Sequence, residues 1–250
     1  DTSEFACRQG GEIQNFTLPP SLRSPAAARD LATQYMMAAV DEAWSHAGMP
    51  ENKATPRTGL VLGTNFGGIL AGEAMFEKLA ENGPIDHQEV AEYCFQSAAD
   101  TVAAHWKLSG TRLVMSLSCS SGTATIAEAA DLIRNGRAEV VVTGGYDSLS
   151  RFCWSGLCAL RTMTPDVIRP FSKDRNGTAF SEGAGCLILE SADHAHARGA
   201  PILAEVAGSA TNNNAFHMTV PAKRGAGSAH VMSAALQDAG MQPEEIQHIN

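Results

Sequence analysis

LVMSLSCSSGTATIAEAADLIRNG, residues 113–136, decides how the rest of the chain is read. Residues 113–119 read as a short buried strand, and the small-residue run after them as a helix that begins at Ser120 and is closed by Gly136. A strand turning directly into a helix makes an elbow, with Cys119 at the bend and its side chain presented at the sheet edge. The first N–H groups of the helix and its positive dipole end follow the sulfur, a setting that favours thiolate over thiol. The same amides could hold a developing oxyanion. Ser120, Ser121, Gly122, Thr123, Ala124 and Ala127 let the helix pack closely, so it is expected to be central. The competing reading, a buried cysteine at a strand end, stays open on these residues alone.

Outward from this segment, strands and helices alternate. TGLVLGT (58–64) and EVVVTGG (139–145) are apolar runs that end in glycine turns, and GCLILE (185–190) is another apolar run. Helical patterns cover about 30–48, 70–80, 90–106, DHAHARG (193–199) and GAGSAHVMSAALQDAG (225–240). PILAEVAGSAT (201–211) is read as a longer strand, EIQHIN (245–250) as the start of another, and the first 28 residues as irregular. Strands without polar alternation, interleaved with helices, predict an α/β fold with a mainly parallel sheet covered on both faces. The last strand should deliver a loop to the carboxyl edge of the sheet, where such folds carry their ligands. The chain therefore reads as a piece of a longer protein.

Composition excludes several classes. Of 250 residues, 44% are hydrophobic and 18% charged, as in ordinary globular proteins. No apolar run approaches the roughly 20 residues of a membrane-spanning helix. With 27 acidic against 18 basic residues the net charge is −9, which argues against nucleic-acid binding through a basic surface. The six cysteines are scattered, with neither CxxC nor zinc spacing, so they read as reduced thiols in a cytoplasmic protein. Five of them are expected to be small buried hydrophobes. GTNFGG (63–68) lacks the spacing of a nucleotide-binding loop.

Taken together, SCSSGTA (118–124), VVVTGGYDSLS (140–150), GLCALRTMTP (156–165), RPFSKDRNGTAFSEGAGCLILE (169–190), NAFHMTVP (214–221) and GTNFGG resemble the beta-ketoacyl-ACP synthases, condensing enzymes of the thiolase fold. The resemblance is nearest to the chain-elongating branch of type II fatty-acid synthesis, with polyketide ketosynthases as relatives. It implies a thiolase-like layered α-β-α architecture with a mainly parallel mixed sheet. Residues 1–250 would be the N-terminal domain, with the first strand and the C-terminal half outside the chain.

The chemistry that the resemblance implies starts with an acyl group passing from an acyl carrier protein to Cys119. Malonyl-carrier then loses carbon dioxide, and the carbanion attacks the acyl thioester. The family uses two further histidines and a lysine, for which no residue here has the motif, so the isolated piece is expected not to complete condensation. Phe66 and Leu157 stand at positions bordering the acyl pocket. His217 and Thr219 lie in a loop near the site entrance, where the family commonly has an acid at the position of Asn214. Arg161, in a net-basic segment, is a candidate contact for the acidic carrier. Glu182 reads as shaping a turn rather than performing chemistry. No metal or dissociable cofactor is implied, since phosphopantetheine arrives on the carrier, and a homodimer is expected. The rival readings are a silent partner subunit of the chain-length-factor type, a coenzyme A-dependent thiolase and, more distantly, a cysteine hydrolase.

Overall fold

Six consecutive buried residues, Thr58–Gly63, form β1 in the interior of a four-stranded sheet. The computed structural model describes residues 5, 7–23, 29–50, 57–217 and 220–250. The other strands are β2, Arg112–Met115, β3, Val140–Asp147, and β4, Gly183–Glu190, in the sheet order β2-β1-β3-β4. β1 runs parallel to both β2 and β3, and β3 runs antiparallel to β4. This is the mainly parallel mixed sheet expected from the alternation of elements.

Eight α-helices are described: α1 Leu31–His46, α2 Ile69–Ala80, α3 His87–Tyr93, α4 Ser97–Trp106, α5 Ser121–Arg134, α6 Arg151–Ala159, α7 Ala192–Ala197 and α8 Ala226–Ala239. Strand side chains alternate between faces, so one sheet supplies two cores. Leu60, Leu62, Val140 and Val142 pack with Met36, Met37 and Val40 of α1 and Val102 of α4. Val61 and Val141 face the other way, against Ala129 and Leu132 of α5. Each fully buried Leu or Val contributes about 1.5–3 kcal/mol, and the result is a three-layer α-β-α sandwich.

Several expectations need correction. The pattern over 90–106 reads as one helix, but Cys94 takes an extended conformation (φ −65°, ψ 138°) and divides α3 from α4. The division is tertiary in origin: the backbone at Glu92–Phe95 lies against the glycines of the GTNFGG turn. β2 ends at Met115 rather than Cys119, because residues 117–120 are taken up by the elbow, and α5 accordingly begins at Ser121. α6 was not foreseen, although Ser150 caps it by accepting from the Cys153 N–H at 3.1 Å.

Residues 201–211 form no strand. Arg134 donates to the carbonyls of Val206 and Ala207 at 2.8 and 2.9 Å, and Asp238 accepts from the Ser209 N–H at 2.8 Å. A strand requires a ladder partner, and these side chains take the place of one. Residues 246–250 likewise form no strand. No helix among the described residues is long and apolar enough to cross a membrane.

At the far end of β4, Glu190 fastens α7 to the sheet. Its carboxylate accepts from Arg198 Nε at 2.8 Å and from Arg198 Nη2, and lies 2.7 Å from His194 Nδ1. Burial pushes the Glu190 carboxyl up, but hydrogen bonds from Arg198 and His194 outweigh it and hold the group below its ordinary value. A depressed carboxylate stabilises the fold above its unfolded pKa, and that contribution is lost as pH falls through the folded one. Arg198→Ala should therefore lower stability near neutral pH by about 1–3 kcal/mol in urea unfolding. The deficit relative to wild type should shrink toward acid, and equal midpoints near neutrality would contradict the role.

Candidate active site

The elbow between β2 and α5 is held by its own serines. Ser118 adopts a left-handed conformation (φ 54°), which reverses the chain ahead of Cys119. The Ser121 hydroxyl donates to Ser118 O at 2.7 Å and accepts from the Leu117 N–H at 2.8 Å. Ser120 Oγ donates to Leu117 O at 2.8 Å. The N–H groups of Ser120 and Ser121 are also engaged, by the carbonyls of Leu117 and Ser118 at 3.3 and 3.0 Å. Those two amides are therefore engaged in holding the turn.

Close packing seats the helix. A Cβ at Gly63 would lie 2.8 Å from both the carbonyl carbon and oxygen of Ser121, so only glycine permits this approach. The Thr125 hydroxyl lies 3.2 Å from Gly144 O and 2.7 Å from Gly122 O, tying the second turn of α5 to β3. Cys119 is consequently exposed, on a cleft of about 320 Å³ whose other walls include Asn65, Asp147, Glu182 and the glycines at the ends of β1 and β3.

Asp147, at the end of β3, was not singled out in the sequence. Its Oδ1 accepts from Thr64 Oγ1 at 2.7 Å and from the N–H groups of Asn65 and Phe66, both at 3.0 Å. Its Oδ2 accepts from the Asn65 N–H at 3.1 Å. Successive N–H groups of this kind form a nest suited to an anion. The glycine turn that superficially suggests a phosphate cradle already holds a carboxylate of its own chain. Burial raises the Asp147 carboxyl above its usual range, and the bonds from Thr64, Phe66 and Asn65 only partly offset this.

Glu182, read from the sequence as shaping a turn, has a side chain that ties distant segments together. It accepts from the Tyr35 hydroxyl at 2.8 Å and from the N–H groups of Ile13 and Leu149 at 3.0 and 3.1 Å.

A family model described as "Beta-ketoacyl synthase, N-terminal domain" matches residues 10–195, and one described as "Beta-ketoacyl synthase, C-terminal domain" matches residues 203–250. The chain belongs to the beta-ketoacyl synthase family. It is 32% identical over 260 residues to 3-oxoacyl-[acyl-carrier-protein] synthase 2 of Staphylococcus aureus, covering 100% of this chain and 64% of the relative. The chain thus spans just under two thirds of the curated relatives it matches. A beta-ketoacyl synthase from Burkholderia phymatum STM815 superposes with a TM-score of 0.90 at 26% identity, over 97% of this chain and 62% of the other. A type II PKS acyl-carrier protein in complex with its ketosynthase bound to the hexaketide gives 0.82 at 28% identity, over 96% and 60%.

Within this beta-ketoacyl synthase fold the residues picked from sequence are spread out. Phe66 is half-buried in the turn held by Asp147, with Asn65 rather than Phe66 lining the cleft. Leu157, on α6, packs against the small cluster of Cys7, Trp154 and Met163. Arg161 is exposed just beyond α6 and takes a left-handed conformation (φ 54°). His217 is exposed and its Nδ1 accepts from the Val220 N–H at 3.2 Å, while Thr219 lies outside the described residues.

The thiols of this synthase-family chain differ in kind. Burial pushes Cys153 up to about 11 and Cys186 up to about 12, and it raises Cys158 as well. Cys158 and Cys186 are only half-buried, whereas Cys7 and Cys153 are buried, as expected. Cys94 is not: it is exposed at the end of α3, outside the core, with its thiol 3.4 Å from Val90 O. Brief iodoacetamide treatment near about pH 8 should modify Cys119 and Cys94, with Cys153 and Cys186 slower by about a hundredfold until the protein is denatured. Peptide mass mapping reads this directly, and a Cys119 as slow as Cys153 would show that the cleft does not open to solvent.

Proposed function

We propose that the whole protein is an acyltransferase that performs decarboxylative condensation of acyl-carrier and malonyl-carrier thioesters. The observation that carries this reading is the exposed Cys119 thiol, set on a strand–helix elbow over a cleft in a chain of this family. The Cys119 thiolate attacks the acyl thioester carbonyl, the pantetheine thiolate leaves, and the acyl group stays on sulfur. Decarboxylation of the malonyl group then supplies a carbanion. It attacks the acyl carbon, releases Cys119 and yields a 3-oxoacyl-carrier.

The curated relative named above supports fatty-acid elongation as the setting. The 28%-identical ketosynthase supports a polyketide setting as the second reading. In either setting Phe66 and Leu157 are proposed to border the acyl chain, and His217 and Thr219 to belong to the entrance loop. The two histidines and the lysine that complete the chemistry are assigned to no residue here. The pantetheine arm comes with the carrier, so the chain itself is proposed to need no cofactor. We place the protein in the cytoplasm as a homodimer. A silent partner subunit of the chain-length-factor type fits less well, because the nucleophilic thiol is present.

Incubating full-length protein with acyl-carrier protein should give an acyl adduct by intact mass that disappears in Cys119→Ser. A folded full-length protein without any adduct would remove the acyl-transfer assignment.

Carrier docking is proposed at the basic segment from Arg151 to Arg175, where Arg161 is exposed along with Arg151, Lys173 and Arg175. Arg169, in the same segment, is paired with Asp166 at 2.6 Å. Arg161→Glu should weaken apparent carrier affinity by about three- to tenfold at low salt, with the gap closing as salt rises. Unchanged affinity at low salt would exclude Arg161 from the contact.

A further inference from the structure

The turn over the Cys119 cleft is confined from outside and released only from within. Gly68 approaches the α3–α4 connection so closely that a Cβ there would lie 1.8 Å from Glu92 O. Gly67 has φ +57° and stands against Phe95, with a Cβ placed 3.1 Å from Phe95 Cα. The turn therefore has no room to move outward. On the cleft side its amides are held in sequence: Gly67 N–H donates to Thr64 Oγ1 at 2.9 Å, and that hydroxyl donates to Asp147. Every hydrogen bond described for the Asp147 carboxylate comes from residues 64–66. Asp147 and Asn65 also both line the cleft.

We infer that Asp147 is a positioning residue for acyl selection, filling the amide nest of the turn so that the Asn65–Phe66 peptide is fixed at the rim of the Cys119 cleft. This rests on the acyl-transfer reading. The physical argument is local. Removing the carboxylate leaves β3 paired along its length and leaves Cys119 untouched, but it strands the N–H groups of Asn65 and Phe66. Stranded amides seek water, and the cleft that Asn65 lines offers it. The space offered to an acyl chain at the rim lined by Asn65 then varies, and discrimination between chain lengths falls.

The test uses full-length protein as wild type, Asp147→Ala, Asp147→Asn and Phe66→Gly. Asparagine keeps an acceptor at the position of Oδ1, whereas alanine keeps none. One arm measures loading of Cys119 from acyl-carrier substrates of graded chain length. Asp147→Ala should reduce the ratio of best to worst chain by about five- to tenfold, in the same direction as Phe66→Gly, and Asp147→Asn should restore most of it. A second arm needs no acyl transfer: amide exchange at Asn65 and Phe66 should quicken by about tenfold in Asp147→Ala and less in Asp147→Asn. Equal loss of loading at every chain length, or an unchanged ratio, overturns the selection role. Unchanged exchange overturns the positioning role whatever the loading shows. A wild type that takes no acyl group while its exchange responds to Asp147→Ala counts against acyl transfer, and with it the selection role, but leaves the hold on the turn established.

Discussion

The seating of the first turn of α5 on Gly63 is the contact on which the cleft depends. Helix and strand meet there at a distance that would put a Cβ only 2.8 Å from the Ser121 carbonyl. Overpacking of this kind in a dense interior costs about 1–3 kcal/mol or forces the backbone to shift. A shift of α5 would carry the elbow with it, since Ser121 is bonded to both Leu117 and Ser118. The exposure of Cys119 is thus set by a missing methyl group on another strand. The small residues of α5 follow from the same constraint: Ala124 and Thr125 are buried where longer side chains would lift the helix off β1 and β3.

What could be read from the sequence, and what could not, separates along the range of the interactions involved. β1 and β3 were legible because an apolar run bounded by glycine is a local signal. Cys119 was legible because the strand, bend and small-residue helix are contiguous. The break between α3 and α4 was not, because the helical pattern runs through it and the cause, the turn at Gly67 and Gly68, lies more than twenty positions earlier. Asp147 was invisible for the same reason. It is an unremarked acid at a strand end whose partners stand 81 to 83 positions away. The stretch 201–211 shows the converse error: its composition suits a strand, but strand formation is decided by a neighbour and not by the segment alone.

The acids inside the fold show what decides the direction of a carboxyl shift. Asp30 and Asp147 are both raised by burial, although each accepts backbone hydrogen bonds that act against it. Glu190 is also pushed up by burial, though it is less deeply placed, and ends below its ordinary value. A full positive charge adds to the difference. Arg198 lies against Glu190, whereas the bonds described for Asp147 come from amides and a hydroxyl. Dipoles of that sort orient a carboxylate without fully compensating its desolvation. An acid held in this way suits a task of geometry, because its bonds point in fixed directions and bring no counter-charge into the cleft.

That arrangement bears on what the cleft can take. Two carboxylates, Asp147 and Glu182, are among its walls, and both have hydrogen-bond partners already in place: the turn for one, and Ile13, Tyr35 and Leu149 for the other. A phosphate seeking the amides of residues 65 and 66 would have to displace a carboxylate that accepts both of them, and it would approach that charge without a compensating cation. Besides these acids the wall presents the thiol of Cys119, the side chains of Asn65, Ser118 and Ser181, and glycine backbone at Gly63, Gly122 and Gly145. On the proposed acyl-transfer reading, selection in such a cleft rests on shape more than on charge. Shape here is governed by how firmly the turn at residues 64–68 is held.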